Sequence, residues 1–215
     1  MIQRVYEGAK KSSLLSDVIV ATDDERIIDA VKSFGGKVMM TKDSHPSGTD
    51  RCGEIAANFE DVDVVINIQG DEPLVDFRQL DALIKAFNHQ DVQIATLGIR
   101  YIDMEAILNP NLIKVVVNNE NQALYFSRSP IPNLAHSKEN PLTQYPYLRH
   151  IGLYAYRAQT LQELTTLQPT ALEKIESLEQ LRWLYHGYSI QVVETNLETP
   201  NIDVPEDVKK VLALL

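Results

Sequence analysis

Val62-Asp63-Val64-Val65-Ile66-Asn67-Ile68-Gln69-Gly70-Asp71-Glu72-Pro73 is the stretch that decides the fold class. Its first half is nearly continuous in β-branched residues, as in a strand covered on both faces. Its second half turns polar and ends in proline, which closes the strand in a rigid turn. Behind it, Leu80, Leu83, Ile84 and Phe87 recur at helical spacing, and Asp76 stands where a helix cap belongs. Strand, turn and helix in that order are half of a βαβ unit.

Outward from this stretch the same rhythm repeats. Val18-Ile19-Val20-Ala21 and Lys37-Val38-Met39-Met40 read as strands, with a helix carried by Ile27, Ile28, Val31 and Phe34 between them and Gly35-Gly36 as its stop. Gln93 to Ile99 reads as a further strand. The expectation is α/β, a Rossmann-like open sheet. From Leu112 the pattern changes. Ile113 to Val117 and Ala123 to Ser127 form a hairpin around Asn118-Asn119-Glu120-Asn121, and Pro130 to Pro146 reads as an exposed loop. A strand from His150 to Tyr156 follows, then helices around Leu161–Leu167 and Leu172–His186, a strand at Ile190–Val193 and a closing helix over Pro205–Leu215.

Bulk properties exclude several classes. A chain of 215 residues is well above the size at which one core becomes marginal. A formal charge of −10 opposes a nucleic-acid surface, yet leaves nucleotides open, because a metal ion reconciles carboxylates with phosphates. No apolar run reaches membrane-helix length, so no membrane partner is expected. One cysteine, Cys52, rules out an internal disulfide and suits a reducing cytoplasm; no neighbour activates it as a nucleophile.

Ligands of an open α/β sheet bind beyond the carboxyl ends of its strands. Asp71 sits at such an end, where magnesium is typically held by one or two carboxylates and phosphate oxygens. On its own it reads equally well as a turn aspartate. Asp203, in Asn201-Ile202-Asp203-Val204-Pro205, is a second carboxylate whose first reading is a helix cap. His45-Pro46-Ser47-Gly48-Thr49-Asp50-Arg51 is a loop before a helix, suited either to a base or phosphate or to plain solvation with Thr49 as cap. Arg128 and Arg149 stand at strand ends, and an arginine fork fits a carboxylate. Glu173, Glu176, Glu179 and Gln180 read as an exposed helix face, with Leu178, Leu181, Trp183 and Leu184 on the packed side.

Seven segments together resemble a known family. They are Val20 to Asp23, Ser47 to Arg51, Asn67 to Pro73, Tyr125 to Arg128 with Pro130-Ile131-Pro132, Arg149 to Tyr154, Leu178 to Arg182, and Asp203 to Asp207. The chain is similar throughout to the CMP-KDO synthetases, the 3-deoxy-manno-octulosonate (KDO) cytidylyltransferases of lipopolysaccharide synthesis. The resemblance implies a nucleotide-diphospho-sugar transferase fold with a mixed, mostly parallel sheet and a smaller dimerisation lobe. It implies one nucleotidyltransferase domain, with a nucleotide-binding part over 1–111, a sugar-binding and dimerisation part over 112–200 and a closing helix over 205–215. CTP and KDO would be the substrates, Mg2+ the cofactor, and the chain a cytoplasmic homodimer. Asp71 and Asp203 would be catalytic and hold the metal. Ser47, Gly48, Thr49, Arg51, Gln69 and Gly70 would line the nucleotide end, and Arg128, His150, Tyr154, Glu179 and Gln180 the sugar end.

The resemblance also marks a departure. The family opens with a further strand and a triphosphate-wrapping loop ahead of the position matched by Met1. The expectation is that such residues are omitted from this sequence; otherwise the sheet would keep an open central position and bind CTP poorly. Three alternatives stay open: an impaired or non-catalytic sugar- or nucleotide-binding homologue, a transferase for another acidic sugar such as sialic acid, and a phosphoacceptor domain with Asp71 as nucleophile.

Overall fold

In the computed structural model, which describes residues 1–101, 103–133, 140–200, 202 and 207–214, the first half keeps the alternation expected from its pattern. Helix α1 (Ile2–Ala9) leads into β1 (Val20–Thr22), α2 (Glu25–Ser33), β2 (Val38–Met40), α3 (Gly48–Ala56), β3 (Val64–Asn67), α4 (Phe77–Ala86) and β4 (Ile94–Arg100). Side-chain caps set the starts: Asp24, Ser47 and Asp76 each accept a first-turn backbone N–H, of Arg26, Asp50 and Arg78 respectively. Gly35, at φ +75°, ends α2 in the left-handed region.

The second half supplies α5 (Met104–Leu108), β5 (Lys114–Val117), β6 (Ala123–Ser127), α6 (Pro141–Gln144), β7 (Leu148–Arg157), α7 (Ala158–Leu164), α8 (Ala171–Glu176), α9 (Gln180–Tyr185), β8 (Ile190–Thr195) and α10 (Asp207–Leu212). Strand β7 organises the sheet. Along one edge it pairs antiparallel with β4; along the other it pairs antiparallel with β3 through Tyr154–Arg157 and with β5 through Leu148–Arg149. β8 lies parallel beyond β4, and β6 antiparallel beyond β5. The sheet is therefore mixed: β3, β4, β5 and β8 share a direction that β6 and β7 oppose. β1 and β2 form their own parallel pair, and among the described residues no ladder joins β1 to β3.

Alternation along β7 divides the core. Tyr154 and Tyr156 point to one face, with Phe126, Leu161, Leu164 and Trp183. Leu153 and Ala155 point to the other, with Val5, Leu80, Leu83 and Leu97. Strands from both halves of the sequence thus share one sheet.

Four expectations need correction. The helix expected over Leu172–His186 is two helices, broken where Ser177 takes φ +53°. The capping box of Thr170 and Glu173 starts α8, and Arg128 donates to the carbonyls of Glu176 and Ser177 at the break. The charged face expected to be exposed there is engaged instead: Glu173 pairs with Arg182, Glu176 accepts from the Ser127 hydroxyl and the Arg128 amide, and Gln180 is buried. Ser47, not Thr49, caps α3, because Thr49 already lies inside the first turn. The stretch Pro130–Pro146 contains the short helix α6, while 134–139 lie outside the described residues, as do Asp203 and Pro205.

Candidate active site

The start of α3 meets the end of β3. A Cβ on Gly48 would stand 2.9 Å from Gln69 Nε2 and 3.3 Å from Asn67 Nδ2, so glycine lets both amide side chains close on the helix start, and a larger residue would push Gln69 aside. Gln69 in turn donates to Asn67 Oδ1 at 3.1 Å. Ser47, Gly48, Gln69 and Gly70, matched on separate stretches of sequence, therefore form one continuous rim. A Cβ on Gly70 would meet only Ile2 Cδ1, at 3.9 Å. Arg51 faces the other way, donating to Asp23 Oδ2 at 3.0 Å and to the Thr41 hydroxyl, which ties α3 to the ends of β1 and β2.

From the far side of the sequence α9 closes on this rim. Glu179 Oε1 lies 2.8 Å from Ser47 Oγ, within hydrogen-bond distance, and Oε2 accepts from Thr49 Oγ1 at 2.8 Å. Burial raises the Glu179 pKa, partly offset by the two hydroxyls and by Arg182. Under it, Tyr154 and Tyr156 stack on β7 at 6.0 Å, and Trp183 meets both edge-on. Burial drives both tyrosine pKa values upward.

His150 continues this row, 5.2 Å from the Tyr154 ring and 5.0 Å from Phe126. Its Nε2 lies 2.9 Å from Thr96 Oγ1, whose single proton serves the Leu153 carbonyl at 2.8 Å. That network assigns the imidazole proton to Nε2. Burial lowers the His150 pKa to about 3, so the ring is neutral at physiological pH.

At the end of β3, Asp71 is half-buried, and among the described residues no donor or cation meets its carboxylate. Its carbonyl accepts the N–H of Ile202 at 3.0 Å, which brings the neighbour of Asp203 to Asp71. Asp203 itself lies outside the described residues. Arg128 does not face the rim; its guanidinium is committed to the carbonyls of Pro110, Glu176 and Ser177. Burial pushes the Cys52 thiol up to about 12, which leaves it inert. The site residues absent from the sequence reading are Asn67, which braces Gln69, and Asp50, which sits on Ser47 at 2.6 Å. Asn67 had a visible signal, a polar residue at the carboxyl end of a β-branched strand.

A comparison with known proteins joins this geometry to a family. The model of the cytidylyltransferase family matches residues 1–193. A 3-deoxy-manno-octulosonate cytidylyltransferase of Parabacteroides distasonis is 52% identical over 221 residues, covering all of this chain and 87% of that protein. The chain belongs to this cytidylyltransferase family. Another member, from Phocaeicola vulgatus, is 50% identical, covering all of this chain and 86% of its own length. A solved CMP:2-keto-3-deoxy-manno-octonic acid synthetase complexed with CTP superposes with TM-score 0.92 at 41% identity, over 99% of this chain and 86% of that one. The cytidylyltransferase rim is thus built from both halves of the chain: α3 and β3 from the first, β7 and α9 from the second.

Proposed function

We propose that the chain transfers the cytidylyl group of CTP to 3-deoxy-manno-octulosonate. The sugar's anomeric hydroxyl attacks the α-phosphorus, the bond to the β-phosphate breaks, and CMP-sugar and diphosphate result. The observation that carries this reading is the near-complete superposition, at 41% identity, on a synthetase complexed with CTP. The first-turn amides of α3, which have no partner within the helix, suit the nucleotide end beside Ser47, Thr49 and Gln69. Arg51 supports that end from behind through Asp23. For the sugar end, Glu179 reaches the rim through Ser47 and Thr49, His150 and Tyr154 stand together on β7, and neutral His150 offers hydrogen bonding without charge; Gln180, next to Glu179 in sequence, is buried.

The Asp71 carboxylate, hard, half-buried and unmatched by any donor among the described residues, fits a magnesium ion, with Asp203 as the second ligand. Bound there, the ion would supply charge stabilisation to the phosphates. The residues of the chain orient the two substrates and exclude water. We further read the protein as a cytoplasmic homodimer serving lipopolysaccharide synthesis. The single cysteine supports a reducing compartment, and among the described residues no helix is long and apolar enough to cross a membrane. Leu124 on the outermost strand β6 and Ile175 on α8 are 61% and 83% exposed, which suits a covering partner.

Diphosphate release with CTP, UTP and TTP against KDO and sialic acid, with and without Mg2+, tests the reading. Magnesium-dependent turnover of CTP with KDO is expected. Turnover of another pair alone overturns the substrate assignment, and tight KDO binding without CTP binding favours a non-catalytic homologue. Sedimentation checks the dimer.

A further inference from the structure

Two carboxyl groups face one hydroxyl proton at the start of α3. Ser47 Oγ lies 2.6 Å from Asp50 Oδ2 and 2.8 Å from Glu179 Oε1, both within hydrogen-bond distance. A serine hydroxyl donates once. With both carboxyls ionised, one contact would set oxygen lone pairs against each other across less than 3 Å. One added proton resolves this, and the remaining distances say where it sits. The shorter contact, to Asp50, takes the Ser47 proton, as expected for a hydroxyl on an ionised carboxylate. Thr49 Oγ1 donates to Glu179 Oε2 at 2.8 Å, leaving Oε1 as the protonated oxygen. The Asp50 backbone N–H approaches Ser47 Oγ at 3.3 Å and completes its acceptor capacity.

We infer that Glu179 enters this cluster as a neutral carboxylic acid and is the positioning residue of the nucleotide-end turn. The bonds run in one direction, from Thr49 to Glu179, from Glu179 to Ser47 and from Ser47 to Asp50. The role goes beyond the sugar-end contact given to Glu179 above, and it rests on the assignment of Ser47 and Thr49 to the nucleotide. The groups facing Glu179 are Asp50 and Cys52 on α3, Arg182 on α9, and Tyr154 and Tyr156 on β7. Only Arg182 favours ionisation by its charge, and it is committed to Glu173. Asp50 opposes ionisation, as does burial. Because folding raises the affinity of this carboxyl for its proton, the clamp is complete at low pH. It loosens as pH rises through the folded-state value.

The test reads the proton and the positioning separately. Carboxyl 13C NMR of the glutamate-labelled protein without nucleotide, with the resonance assigned by its loss in Glu179→Gln, should show Glu179 titrating above the exposed glutamates. Asp50→Asn should bring it down. Titration with or below the exposed glutamates overturns the assignment. CTP is then titrated with Mg2+ in the absence of sugar. Glu179→Ala should weaken binding about tenfold, as for loss of one or two buried hydrogen bonds. Thr49→Val, which reaches the clamp from the other side, should weaken it in the same direction, and the double variant should lose less than the product of the two. Unchanged CTP affinity in both single variants overturns the positioning role. Absence of CTP binding by the unaltered chain overturns the nucleotide-end assignment and the positioning role with it, while leaving the proton count standing.

Discussion

The two turns that face each other across the rim are finished to different degrees. At the start of α3, Ser47, Thr49, Asp50 and Arg51 each hold a named partner, and Glu179 reaches in from α9 to two of them. At the end of β3, Asp71 presents a carboxylate that no donor meets among the described residues. The first turn is rigid before any ligand arrives, so little reorganisation is needed on binding. The second leaves its carboxylate without a donor among the described residues. On the proposed function, the first turn would locate the nucleotide and the second would be completed by a cation.

Substitutions at the open turn should therefore change chemistry and spare stability, and those at the closed turn should do the reverse or both. Asp71→Asn gives the largest effect: magnesium-dependent diphosphate release should fall at least about 100-fold, with the urea midpoint unchanged. A matching fall in stability would make Asp71 a structural residue and erase the contrast. Next comes acid. His150 is held neutral by burial, with its pKa lowered from 6.5 to about 3. The unfolded chain thus binds a proton that the folded one refuses, and stability is lost as pH falls below 6.5. The expected loss is about 2 kcal/mol between pH 6.5 and about pH 5, read by urea unfolding, and His150→Gln should flatten it. Ser47→Ala removes the α3 cap and should cost about 1 kcal/mol while also weakening CTP binding; a pure stability effect would separate the turn from the nucleotide. Ser177→Gly, at the left-handed break, should raise stability by about 0.5 kcal/mol in thermal unfolding, since glycine removes the strain there.

The strands and the first helices could be read from residues because their signals are local. Val64, Val65 and Ile66 announce a covered strand, and Asp76 caps the helix it precedes. Asp71 was visible for the same reason, as an acid at the end of such a strand. The break between α8 and α9 was not. Leu178-Glu179-Gln180-Leu181 continues a good helical pattern, and the break is held by Arg128, nearly fifty residues away in sequence. The clamp was equally hidden: Ser47 and Glu179 are separated by 132 positions, and no periodicity links them. Ser47 outcompetes Thr49 as cap because the helix starts two residues earlier than the threonine requires.

Strand β7 also sets an order on synthesis. Its partners β3, β4 and β5 all leave the ribosome first, yet Asn67 pairs with Tyr154, and Lys114 with Arg149. Until β7 emerges, three strands wait with unpaired edges, the state in which nascent chains aggregate. A pause or truncation ahead of Leu148 leaves that state standing. The arrival of one ten-residue strand then joins both halves of the sequence in one sheet, and α9 follows to close on the rim.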